Sequence, residues 1–115
     1  MKDYNGEIEY KGKKYKLMFN LNVMEKIQGE FGTIDKWAEL TAGKDQEPNA
    51  KAIKFGFTEM LNEGLEMEAE ENGSEYKPFT ENQVGRMLTE IGLENMSKTL
   101  QTTIIESTKS DEKNV

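Results

Sequence analysis

Polar and apolar residues alternate twice near the start of the chain, and then the spacing changes. Ile8 and Tyr10 alternate with glutamates, and Tyr15, Leu17 and Phe19 repeat the period-two pattern. Such alternation predicts strands with one buried face. Lys11-Gly12-Lys13 supplies a short glycine-containing turn between the two runs, so they read as a β-hairpin. Asn5-Gly6 is a second turn signal, placed just before the first strand. Two strands alone cannot bury a face, so this hairpin must pack against helices.

Helical spacing takes over from residue 22. Asn22 followed by Glu25 reads as an N-cap with a capping box. Behind it Val23, Ile27 and Phe31 share a face, and Gly32 stops the helix. A second short helix is predicted over 34–42, with Trp37 and Leu40 apolar and Gly43 as its stop. Residues 44–48 form a polar connector. Asn49 caps the longest helix, which runs to Asn72 before Gly73; Ile53, Phe57, Met60, Leu61, Gly64 and Met67 lie on one arc of its wheel. Thr80 with Gln83 repeats the capping-box pattern, and Phe79 with Val84 supplies the hydrophobic staple. Val84, Met87, Leu88 and Ile91 give that helix its apolar face before Gly92, and Leu93, Met96, Leu100 and Ile104 mark one more. The expected class is α+β: an N-terminal β-hairpin packed on a bundle of four to five α-helices. One domain over residues 1–108 precedes a flexible polar tail at 109–115.

Composition narrows the chemistry. The chain has 115 residues, 35% hydrophobic and 32% charged, which supports one modest core. It contains neither cysteine nor histidine. Disulfides, thiolate zinc sites and cysteine nucleophiles are therefore excluded, and the commonest general base and transition-metal ligand are missing. No apolar run reaches membrane-spanning length and no signal-peptide core opens the chain, so a cytoplasmic location is expected. A net charge of -7 disfavours nucleic-acid binding. The charge is uneven: Lys2, Lys11, Lys13, Lys14 and Lys16 crowd the first twenty residues, whereas Glu59 to Glu75 includes no basic residue. That polarity suits head-to-tail self-association or a basic partner, and solubility alone accounts for it equally well.

Two lines on the long helix are candidate protein-binding features. Glu59, Glu63, Glu66 and Glu70 recur with the helical period, although like charges one turn apart weaken a helix by roughly 0.2–0.5 kcal/mol per pair. The row is either an anionic stripe for a basic partner or a solvated face; carboxylates in a line converge poorly on a metal. Gly56, Met60, Gly64 and Met67 form the second line. Helical glycines cost about 1 kcal/mol each relative to alanine, which close approach of the hairpin or another helix would explain. Met60 and Met67 also suit an adaptable binding groove. Trp37, the one tryptophan, reads as a core anchor. No catalytic motif, phosphate-binding loop or cofactor site is present, so the expectation is a non-enzymatic protein binder without cofactor or metal.

The segment from Tyr15 to Leu40, YKLMFNLNVMEKIQGEFGTIDKWAEL, resembles the tail assembly chaperones of long-tailed bacteriophages and prophages of Gram-positive bacteria. The features that carry the resemblance are the strand end Leu17-Met18-Phe19-Asn20, the helix start at Asn22, the Phe31-Gly32 closure and Trp37 in the next helix. It covers about a quarter of the chain and assigns no residue a role. It implies a host-cytoplasmic protein that binds the tape measure protein, keeps it soluble and helps recruit tail tube subunits. It also implies a longer frameshifted product; Glu112-Lys113-Asn114 can be encoded by a slippery A-rich heptamer. A head–tail connector, a tail completion protein and a small cytoplasmic adaptor are the alternatives.

Overall fold

A computed structural model describes residues 4–43 and 46–92. Strand β1 (Tyr4–Tyr10) pairs antiparallel with β2 (Lys13–Phe19). The connecting turn places Lys11 at φ 52° and Gly12 at φ 77°. Two consecutive positive φ values make a type I′ turn, whose twist matches that of the strands. Ile8, Leu17 and Phe19 point to the buried face, with Tyr15 half-buried beside them. On the opposite face Glu7 stands across from Lys16 and Glu9 across from Lys14, which pairs unlike charges between strands. Asn5-Gly6 does not form the expected turn. Both residues lie inside β1, opposite Met18 and Leu17, because the ladder extends to Tyr4 and Phe19 and outweighs the local turn preference.

Four helices follow: α1 (Leu21–Phe31), α2 (Ile34–Ala42), α3 (Ala50–Asn72) and α4 (Glu81–Ile91). The cap of the first lies two residues before the predicted one. Asn20 is the N-cap and its Oδ1 accepts from the Val23 amide at 3.2 Å, while Asn22 sits in the first turn. The later ends follow the expected caps at Asn49 and Thr80 and the glycine stops, and Thr33 adds a cap that was not expected. Thr33, Asn49 and Thr80 cap α2, α3 and α4, and Thr80 with Gln83 closes a complete capping box. Gly43 and Gly73 adopt the left-handed conformation that ends α2 and α3. The predicted helix through Leu93, Met96, Leu100 and Ile104, the polar tail and Glu112-Lys113-Asn114 lie outside the described residues.

The hairpin therefore leans on four helices, an α+β fold, and α3 is its axis. Strand β2 and helices α1, α2 and α4 all pack against it. Ile53, Phe57, Met60 and Leu61 of α3 are fully buried among Leu17, Phe19, Val23, Ile27, Trp37 and Val84. The indole of Trp37 stacks on Phe19 with ring centroids 6.3 Å apart and donates its N–H to the Ala52 carbonyl at 2.8 Å. A buried indole needs such an acceptor. Both helical glycines of the α3 line mark close approaches. A methyl group on Gly56 would overlap the Trp37 ring, and one on Gly64 would lie 2.7 Å from the Lys16 carbonyl oxygen of β2.

Candidate protein-binding surface

The glutamate row on α3 divides in two. Glu59 pairs with Lys26 of α1 at 3.2 Å. Glu63 accepts hydrogen bonds from the side-chain amides of Asn20 at 2.7 Å and Asn22 at 3.1 Å. These contacts stitch α1 to α3. The Lys26 ammonium is held above its ordinary pKa by its hydrogen bond to Glu59 and then by that carboxylate's charge; Glu63 and Glu66 add to this against some desolvation. Glu66 and Glu70 are exposed and continue the row toward the helix end. Only half of the stripe thus faces outward.

The methionines divide as well. Met60 has no exposed surface and fills the core, so it offers nothing to a surface partner. Its place on the apolar arc of the wheel decides its role, as one member of the buried core cluster. Met67 is half-buried, and its sulfur lies 3.9 Å from the Asn20 amide nitrogen. Trp37 is likewise a core residue, and Gly56 and Gly64 serve packing. Among the described residues no group of three or more Asp or Glu side chains is gathered as a metal site.

Sequence reasoning missed the groove that runs between the β2 edge and the second half of α3. It encloses about 360 Å³ and is open to solvent along one side. Leu61, Leu65 and Ala69 of α3 form its floor, and Tyr15 meets Phe79 edge-on at its end with centroids 5.4 Å apart. Lys13, Lys14, Lys16 and Lys77 border it together with Glu68 and Glu75. The segment that closes the groove is pinned by Asn62 of α3, whose side chain donates to the Phe79 carbonyl at 3.0 Å and accepts from the Phe79 amide at 2.8 Å. A smaller polar cleft of about 170 Å³ lies over the α1–α3 seam beside Glu63 and Glu66. Neither is marked by a local motif, because each joins residues more than forty positions apart; the alternation of Lys14 and Lys16 with buried residues was the available signal. The chain matches no protein-family model, no curated protein and no solved structure.

Proposed function

We infer that the protein is a non-catalytic tail assembly chaperone of a long-tailed phage or prophage. In this reading it binds the tape measure protein in the host cytoplasm and helps recruit tail tube subunits. The observation that carries the reading is the resemblance of Tyr15 to Leu40. That segment is a contiguous unit of β2, α1 and most of α2. Its marking residues have structural work within the unit: Phe19 and Trp37 stack, Asn20 caps α1 and Gly32 ends it. Exposed Glu66 and Glu70 and the mixed-charge groove are compatible with protein binding and point to no reaction chemistry.

Co-expression with the tape measure protein of the same phage genome tests the assignment. The expected result is that the tape measure protein becomes soluble and elutes with this chain, and that tail tube protein joins the complex. A tape measure protein that stays insoluble, with this chain eluting alone, overturns it.

A further inference from the structure

We propose that Asn72 is a self-modifying site: the Gly73 backbone nitrogen displaces its side-chain amide and leaves isoaspartate or aspartate in its place. This inference stands on the end of α3 alone and holds whichever partner the protein binds.

The chemistry needs only water. An asparagine places its side-chain carbonyl carbon one ring closure from the next backbone nitrogen, and a following glycine leaves that nitrogen unshielded because it has no Cβ. Solvent base takes the proton of the Gly73 amide, the nitrogen–Cγ bond forms, the Cγ–Nδ2 bond breaks and ammonia leaves. Water then opens the five-membered imide. Opening at the backbone carbonyl gives isoaspartate, and opening at the side-chain carbonyl gives aspartate. Nothing is oxidised or reduced.

The chain contains two Asn-Gly pairs, and the fold treats them differently. Asn5-Gly6 lies within β1. Tyr10 and Lys13 flank the two-residue turn and exchange hydrogen bonds, and alternation along the ladder makes Gly6 and Leu17 another such pair. The Gly6 nitrogen is thereby held in the sheet against fully buried Leu17. Asn72-Gly73 instead ends α3. Asn72 is exposed, and among the described residues no hydrogen bond engages its side chain. The Gly73 amide is shared between the Ala69 and Glu70 carbonyls, the latter 3.4 Å away, and the space beside its Cα is open.

Attack requires Asn72 to leave the helical ψ, so the last turn must open. Its charges favour opening. Glu70 and Glu71 sit beside carbonyls that already carry partial negative charge, with no basic residue in that turn to offset them. Terminal turns fray at little cost. The product adds one more negative charge there. Isoaspartate also lengthens the backbone by one atom, against the cap that the Ser74 amide closes on the Ala69 carbonyl at 2.9 Å. Because Asn72 borders the groove, the modification turns one stretch of the groove rim more acidic.

The test is incubation of the full chain at mildly alkaline pH, folded and in guanidinium, followed by peptide mapping with fragmentation mass spectrometry. Asn62, followed by Glu63 and bonded to the Phe79 backbone, is the internal reference that stays intact. In the folded chain Asn72 is expected to lose its amide within about tenfold of its unfolded rate, and at least about tenfold faster than Asn5. In guanidinium the two sites should react alike. Glu70→Gln combined with Glu71→Gln should slow the folded reaction about threefold by steadying the last turn, and leave the unfolded rate unchanged. The proposal is overturned if Asn72 stays intact in the folded chain while the unfolded chain loses its amide, or if folded Asn5 reacts as fast. It is also overturned if the double variant reacts as the native chain does.

Discussion

At the scale of single residues, the sharpest constraints come from positions where a neighbour leaves no room or where a side chain holds backbone. Gly56 is one. Replacing a helical glycine by alanine ordinarily gains about 1 kcal/mol, but here the new methyl would overlap the buried Trp37 indole. Overpacking a rigid ring in a closed core costs typically 1–3 kcal/mol and more when backbone must move. Gly56→Ala is therefore expected to lower stability by about 2 kcal/mol, measured by urea unfolding; a variant more stable than the native chain refutes this packing. Asn62 is the other. Its two hydrogen bonds to the Phe79 backbone anchor the approach to α4. Asn62→Ala leaves a half-buried amide and carbonyl without partners, and about 2 kcal/mol should be lost. Hydrogen exchange should locate the loss, with faster exchange at Phe79 and along α4 than at α1.

At the scale of elements, the seam between α1 and α3 replaces what a purely apolar contact would do. Lys26 and Glu59 lie at its solvent edge, and the lysine side chain is 63% exposed, so the pair is worth only a few tenths of a kcal/mol to about 1 after screening. Lys26→Gln should show that loss at neutral pH. The sign of its pH dependence follows from a folded-state pKa raised above 10.5. Stability from the charged lysine is complete below that value and disappears as pH rises through the raised one. The gap between native and variant unfolding energies should thus be constant from pH 7 to about pH 10 and close at higher pH. A gap that widens with alkali contradicts the pairing. The sequence made the elements themselves legible where local chemistry decides them: Lys11-Gly12 for the hairpin turn, Thr80 with Gln83 for α4, Gly43 and Gly73 for helix ends. It misled where a distant partner decides. Local pattern favours Asn22, which has Glu25 three residues on, yet Asn20 is the cap: its Oδ1 takes the Val23 amide, and Glu63 receives the side-chain amides of both asparagines. Asn5-Gly6 became strand for the same kind of reason. The candidate surface was half legible: the period placed Glu59, Glu63, Glu66 and Glu70 on one face, but no local rule says which two α1 takes. Of the groove, made by a strand and a helix far apart in sequence, only the alternation of Lys14 and Lys16 along β2 was legible.

At the scale of the whole molecule, charge is distributed against the fold rather than for it. The ion pairs joining described helices, Lys26–Glu59 and Lys51–Glu30, have solvent-exposed lysines and contribute roughly 0.2–1 kcal/mol each. Against them stands a net charge of -7 and the end of α3. Glu66, Glu68, Glu70 and Glu71 occupy its last two turns, all exposed, with no basic residue in the final turn. The carbonyls at a helix C-terminus already carry partial negative charge, and each further carboxylate there is unfavourable by about 0.3–1 kcal/mol at low ionic strength. Glu70 and Glu71 in the final turn, added to the net charge, outweigh two weak attractions. Screening should remove more cost than benefit as the Debye length falls from about 30 Å at 0.01 M salt to about 8 Å at 0.15 M. Sodium chloride over that range is expected to stabilise the protein by about 1 kcal/mol, and a domain of this size converts that to a rise of about 5 °C in Tm. Glu70→Gln combined with Glu71→Gln should raise Tm at low salt and shrink the response to salt, because it removes two of the repulsions being screened. A Tm that is flat or falls with sodium chloride would mean that attraction between unlike surface charges dominates, and the acidic end of α3 would then be no burden on the isolated chain.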